Sequence, residues 1–203
     1  QTHIGTYQVA QSLLENTQPK CAFRPDIKAG QFKAWQRSVS RAMDKLMQHP
    51  TLPKHIQATL VSRQHCNGYM RDLWQLSPLP GCTVQFTVLT PSTSSPRPAV
   101  MCIPGSGMTM ANLCDTTDHA HCFATRIVRE GYVAVAVENA CAGTQQDEAL
   151  NPGSFDYDTP SRLLLEIGWS WLGYTSYTHR CILQWMKEQD FIRRNRICVA
   201  GFS

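Results

Sequence analysis

No run of apolar residues in this 203-residue chain approaches the ~18–20 needed to cross a membrane as a helix, so no helical span is expected. No Cys-x-x-Cys pair occurs among the nine cysteines, which argues against a zinc knuckle or a thioredoxin-type site. Internal repeats and low-complexity tracts are missing too. Charge is sparse, at 17% of residues with a net +4. Lys and Arg are scattered; their densest cluster, Arg193-Arg194-Asn195-Arg196, reads as a solvated turn between helix and strand, so no nucleic-acid partner is expected. What is present in quantity is apolar: 42% hydrophobic residues, enough for a folded chain with one substantial core.

The cysteine count is odd. Cys102 and Cys198 stand inside apolar runs and are expected to be small buried hydrophobes. Some of the others are able to pair in an oxidising compartment, with at least one left over. A chain that starts at Gln1 rather than Met, without a signal peptide, fits either a processed export product or a shortened one.

Along the chain the grammar changes twice. Residues 1–30 are mixed and read as an N-terminal arm, with a helical turn or two around Tyr7 to Leu14; residues 31–203 read as part of one domain. Phe32, Trp35, Val39, Met43 and Leu46 recur at helical spacing, and His49-Pro50 ends that helix. From Ile56 to Leu89 the pattern is strand-like, broken at Asn67-Gly68 and Pro80-Gly81, which predicts antiparallel hairpins. Beyond Pro96 the order becomes strand, helix, strand. Ala99–Ile103, Tyr132–Val137 and Ile197–Ala200 are short continuous apolar runs; helices are expected over Phe123–Glu130 and within Ser161–Glu188. Runs apolar on both faces, alternating with helices, predict an α/β fold with a parallel sheet covered on both sides. The connection 139–160 lies past the carboxyl end of a parallel strand, where such folds place their pockets.

Arg196-Ile-Cys-Val-Ala-Gly-Phe-Ser203 is a strand running into Gly-x-Ser. That is the first half of a nucleophile elbow, in which a strained strand-to-helix turn presents the serine Oγ above the carboxyl edge of the sheet. Ser203 is therefore the candidate catalytic nucleophile. Its hydroxyl needs an adjacent base, normally a histidine oriented by an acid. Where the serine sits on such an elbow those partners follow it in chain order, whereas all seven histidines here precede it.

Ile103-Pro104-Gly105-Ser106-Gly107 follows the first parallel-type strand, where a loop would donate one backbone N–H to an oxyanion. The N–H of Ser106 is the candidate donor, with Gly105 and Gly107 shaping the loop. A plain glycine turn is the simpler alternative. A phosphate-binding loop is disfavoured, because the Gly-Lys-Ser/Thr ending and dinucleotide-type glycine spacing are missing. His119 and His121, with Asp115 and Asp118 nearby, invite a metal reading. Residues i and i+2 do not share a helix face, so a solvated helix start capped by Asp115 or Asp118 is preferred, and no metal or cofactor is expected. The aromatics Trp169, Trp171, Tyr174 and Tyr177 suit core packing better than a sugar-stacking platform. Asp156-Tyr157-Asp158 reads as a helix cap.

With these pieces placed, the chain resembles the dienelactone-hydrolase-like branch of the α/β-hydrolases, and more closely the acetyl-xylan-esterase-like proteins associated with bacterial glycan-uptake systems. The resemblance covers roughly residues 30–203. It rests on Ala99–Thr109, Glu130–Val137, the distinctive Leu164–Tyr177 block with Gly168-Trp-Ser-Trp-Leu-Gly-Tyr174, and Arg196–Ser203. It implies an α/β-hydrolase fold in which Ser203 is the nucleophile, Pro104–Gly107 the oxyanion-side loop and Asn139 part of the segment bordering the pocket. It further implies hydrolysis of a small acyl ester, such as acetylated carbohydrate, through an acyl-enzyme, in a periplasmic or secreted protein. Members of that family run well past the elbow and find their acid and histidine there. A missing C-terminal segment or a second chain is thus expected to complete the fold. Alone, this polypeptide is expected to be poorly stable and catalytically empty. A non-catalytic, truncated relative acting as a binding module is the competing reading.

Overall fold

Six strands form one sheet in the order β1-β2-β3-β5-β4-β6. The computed structural model describes residues 5–93, 95–117, 121–147 and 156–203. The strands are β1 (Ala58–Cys66), β2 (Tyr69–Leu79), β3 (Cys82–Pro91), β4 (Arg97–Ile103), β5 (Val133–Val137) and β6 (Ile192–Gly201). The helices are α1 (Thr6–Glu15), α2 (Ala29–Met47), α3 (Met110–Cys114), α4 (Phe123–Arg129), α5 (Asp158–Glu166) and α6 (Trp171–Lys187). The chain divides into two units, Gln1–Leu46 and Met47–Ser203. In the first, Trp35 packs against Phe23 and Phe32 and donates its indole N–H to the Cys21 carbonyl at 3.1 Å. The second carries the sheet.

The antiparallel opening follows from its turns. Cys66 pairs with Tyr69 and Leu79 with Cys82, so both hairpins close over two residues. Gly68 and Gly81 take φ values of 85° and 73°, which a side chain would oppose. β3 is antiparallel to β5, and β5, β4 and β6 are parallel, as the alternating strand and helix pattern predicts. Parallel neighbours need crossovers. α3 and α4 make the first and α5 and α6 the second; Gly131, at φ 85°, stops α4 just before β5. The stretch Ser161–Glu188 contains two helices rather than one, because Gly168, at φ 78°, ends α5 and Ser170 restarts the chain. Ser170 Oγ caps α6 by accepting the Gly173 N–H at 2.9 Å. Asp156 caps α5 as expected, accepting the N–H of Asp158 and Thr159.

Alternation along β5 sorts the core. Val133, Val135 and Val137 meet Phe86, Met101, Tyr177, Ile182 and Trp185 on the α6 side. Ala134 and Ala136 face the other way, with Leu89, Cys102, Leu113, Ala124 and Val128 under α3 and α4. Tyr177 is core, donating its hydroxyl to the Pro78 carbonyl at 3.0 Å, while Trp169, Trp171 and Tyr174 are only half-buried.

Three expectations are corrected. Cys198 is exposed, not buried, because β6 is the last strand of the sheet and only β4 flanks it; Cys102, in β4, is buried. Arg193, Arg194 and Arg196 lie within β6, not in a turn before it, and are solvated there. Asp115 does not start a helix: its carboxylate accepts the N–H and hydroxyl of Thr117, and α4 begins only at Phe123. Asp118 and His119 lie outside the described residues. Among the described residues no cluster of His, Cys, Asp and Glu suits a metal ion.

Candidate active site

The carboxyl ends of β4, β5 and β6 share one edge of the sheet, and the candidate residues converge there. Gly201 pairs with Ile103, and the Phe202 N–H donates to the Ile103 carbonyl at 3.2 Å, carrying the end of β6 across the start of the loop after β4. Gly105 is buried against it. A Cβ built on Gly105 would lie 2.9 Å from Phe202 Cδ1 and its carbonyl oxygen, and 3.0 Å from Ser203 Cβ. Only glycine allows that approach. Ser203 itself sits at φ 72°, left-handed and costly for a serine, as a nucleophile elbow requires.

The loop has a defined shape. Met108 N–H donates to Gly105 O at 3.1 Å, closing a four-residue turn with Gly107 at φ 74° in its third position. Ser106 and Gly107 are exposed, and no hydrogen bond from either amide to a described residue is formed. Thr109 then starts α3, its N–H and hydroxyl both shared with Asn112 Oδ1. Asn139, half-buried just past β5, donates its side-chain amide to the Pro104 carbonyl at 2.8 Å. The residues singled out in the sequence, Gly105, Ser106, Gly107, Asn139 and Ser203, are thus brought to one edge. His121 also arrives there, its ring 5.1 Å from that of Phe202. Among the described residues no histidine hydrogen-bonds to Ser203.

Two functional-site neighbours escaped the sequence reading. Glu138, 1% exposed, follows β5 directly. Burial pushes its carboxyl up to about 7, against the pull of the N–H groups of Met110 and Thr144. His179 was an isolated histidine in the sequence; on α6 its Nε2–H donates to the Glu138 carbonyl at 2.8 Å, and burial holds its pKa below the usual value. An acid immediately after a strand buried on both faces, with a glycine five residues on, was the available signal for Glu138.

A cavity of about 720 Å³ opens farther along the same edge, between the β2–β3 turn, the segment after β5, and α5 with α6. Cys82, Cys141, Leu164, Trp171 and Tyr174 line it, and Gly105 and Ser203 do not. Of its lining thiols, Cys141 is shifted upward, mainly by burial. Buried Cys102 and Cys114 are pushed up to about 12, and all nine cysteines are unpaired thiols.

The sequence profile of the Abhydrolase family matches residues 1–203. The chain belongs to this family. A Bacteroides fragilis protein provisionally assigned as an acetyl xylan esterase is 39% identical, with a TM-score of 0.90 over 100% of this chain and 55% of its own. Acetyl xylan esterase 1 of Thermoanaerobacterium sp. JW/SL YS485 is 16% identical, with a TM-score of 0.58 over 83% of this chain and 50% of its own. A glucuronoyl esterase of Solibacter usitatus, 12% identical at a TM-score of 0.56, covers 89% of this chain and 55% of its own. The last two share the fold. No curated protein matches. This abhydrolase spans about half the length of the structures it resembles. The antiparallel opening and the parallel strands that follow it are those of an α/β-hydrolase.

Proposed function

We propose that this abhydrolase hydrolyses carboxylic esters, with Ser203 as nucleophile and acetylated carbohydrate as the substrate class. The observation that carries the reading is the contact at Gly105: a loop whose Ser106 and Gly107 are exposed is pressed against a serine held at positive φ. In the reaction, Ser203 Oγ adds to the acyl carbonyl and its proton passes to a base. The carbonyl oxygen, now negative, is held by the N–H of Ser106. Collapse expels the alcohol with that proton and leaves an acyl-serine, which water hydrolyses. The base and its acid come from polypeptide beyond the described residues, either a further segment or a second chain, which also pairs with β6. The ester class rests on the family and on the Bacteroides fragilis relative. The same reading takes the protein to be exported, periplasmic or secreted.

The test is covalent labelling. The native full-length gene product, treated with an alkyl fluorophosphonate, is expected to carry one adduct on Ser203 and to release acetate from acetylated xylo-oligosaccharide. An unlabelled Ser203 in folded protein would refute the reading and favour a non-catalytic binding module.

A further inference from the structure

The net charge of +4 is not spread over the chain. Seven of the nineteen Lys and Arg but only three of the fifteen Asp and Glu fall within residues 1–46, so this stretch carries the whole +4, and residues 47–203, with twelve of each, carry none. The boundary is the one that divides the two units of the fold. A charge asymmetry of this kind points to an anionic partner for the basic part. Four of the seven cations stand on α2: Lys33, Arg37, Arg41 and Lys45 recur at every fourth position, about 6 Å apart along the axis. All four are exposed, and none takes part in a salt bridge among the described residues. Asp44, the only acid of the helix, stands near its C-terminal end.

At about 3.6 residues per turn this stripe lies on the side opposite Phe32, Trp35, Val39, Met43 and Leu46. Trp35, in the middle of the apolar side, is taken up by Phe23, Phe32 and the Cys21 carbonyl of its own unit. A helix lying in a bilayer surface needs that side for the lipid, so a membrane suits α2 less well. No aromatic residue stands on the basic side, and single-stranded nucleic acid needs such residues for base stacking. What the basic side does offer is a groove of about 740 Å³ lined by Lys33, Gln36, Arg37, Ser40 and Arg41. Its cations match carboxylates, and the Gln36 amide and Ser40 hydroxyl between them match sugar hydroxyls. One exposed ion pair is worth little. A chain with charges on many of its sugars engages several at once and gains from their linkage.

We propose that α2 holds an anionic polysaccharide along Lys33, Arg37, Arg41 and Lys45, and that the ester-bearing carbohydrate presented to Ser203 contains uronate. The second part rests on the ester-hydrolase reading; the first does not, so its test uses an ester-free probe. The native full-length gene product is expected to bind polygalacturonate, with affinity that falls as salt rises, and to bind neutral deacetylated xylan about tenfold more weakly or less. Lys33→Gln, Arg37→Gln and Arg41→Gln together should raise the Kd for polygalacturonate about tenfold or more, and the KM for acetylated glucuronoxylan by a similar factor. The three positions are exposed and Gln is a good helix former, so the fold is expected to survive. Arg37→Gln alone should give part of the loss, and it covers the case in which the triple variant fails to fold. Removing as many exposed cations from the other unit, by Lys54→Gln, Arg129→Gln and Lys187→Gln, should leave the Kd unchanged. Equal losses in the two triple variants overturn the α2 site, as does equal binding of polygalacturonate and neutral xylan. Tighter binding to duplex DNA or to phosphatidylglycerol vesicles than to polygalacturonate overturns the polysaccharide assignment. Lost polygalacturonate binding with an unchanged KM for acetylated glucuronoxylan overturns the second part alone. If the wild type never labels at Ser203, the hydrolase reading fails instead, and the polygalacturonate data still decide the α2 site.

Discussion

β5 and β6 carry similar sequences, Val-Ala-Val-Ala-Val and Ile-Cys-Val-Ala-Gly, and meet opposite fates. All five residues of β5 are buried, most of them completely. In β6 only Ile192 is buried, and Val199 is 58% exposed. The difference is neighbours. β5 has β3 and β4 beside it and helices on both faces, whereas β6 has β4 alone. An apolar run thus reports what a strand is built to meet, and burial follows only where the partner is present. An uncovered edge of this kind invites pairing with another strand.

The largest effect that would break or sharpen this contrast lies at the tip of β6. Ser203→Ala is expected to lower ester hydrolysis by about 10⁴-fold or more and abolish phosphonate labelling, leaving the folded state intact. Circular dichroism and labelling of the same preparation check this. Where β6 meets the loop after β4, Gly105→Ala forces Phe202 or Ser203 to move. A loss of about 100-fold in kcat/KM, with little change in thermal midpoint, is the expected outcome of steady-state kinetics.

The strands themselves come next. Val135→Asp should cost more than about 4 kcal/mol and prevent folding. Val199→Asp in the chain Gln1–Ser203 should shift the urea midpoint by less than about 0.5 kcal/mol equivalent. In the native full-length product the same Val199→Asp change is expected to cost about 2 kcal/mol or more, because the proposed further segment covers it. Equal, small costs in both would mean that β6 stays an edge.

A pH dependence centred on Glu138 and His179 beside β5 is the remaining effect. Folding raises the Glu138 pKa from 4.5 to about 7, so the folded state holds this proton more tightly. Its stabilising contribution is full below about 4.5 and is lost as pH rises to about 7, of the order of 3 kcal/mol at about 1.4 kcal/mol per unit. His179 works in the opposite sense: its folded pKa is depressed, so stability falls as pH drops through its unfolded value of 6.5. Urea titrations from pH 5 to 8 should show the Glu138 slope flattened in Glu138→Gln. The acid-side loss should be removed in His179→Gln, which keeps a donor for the Glu138 carbonyl.

Much of the fold could be read directly. Asn67-Gly68 and Pro80-Gly81 marked both hairpins because positive φ is a local demand that glycine meets at little steric cost. The strand and helix order beyond Pro96 followed from apolar runs too short for helices. Gly201-Phe202-Ser203 and Pro104–Gly107 were legible for the same reason: tight turns limit which residues fit. Less could be said of residues whose role depends on a distant partner. Cys198 carries the same local signal as Cys102, yet one is exposed and the other buried, since strand order is a property of the whole sheet. Glu138 and His179 lie 41 positions apart, and neither position carries a local pattern that announces the contact.

By itself the sequence determined the turns, the alternation of strands with helices and the serine at the end of a glycine-bearing strand, all consequences of backbone sterics and hydrophobic periodicity. Tertiary structure alone decided which strand became the edge and which carboxylate was buried. It also decided that Gly105 lies against Ser203 and that Asn139 holds the Pro104 carbonyl beside it. Those outcomes depend on how the crossovers bring separate strand ends to one edge, where burial and hydrogen bonding are set by residues far away in the chain.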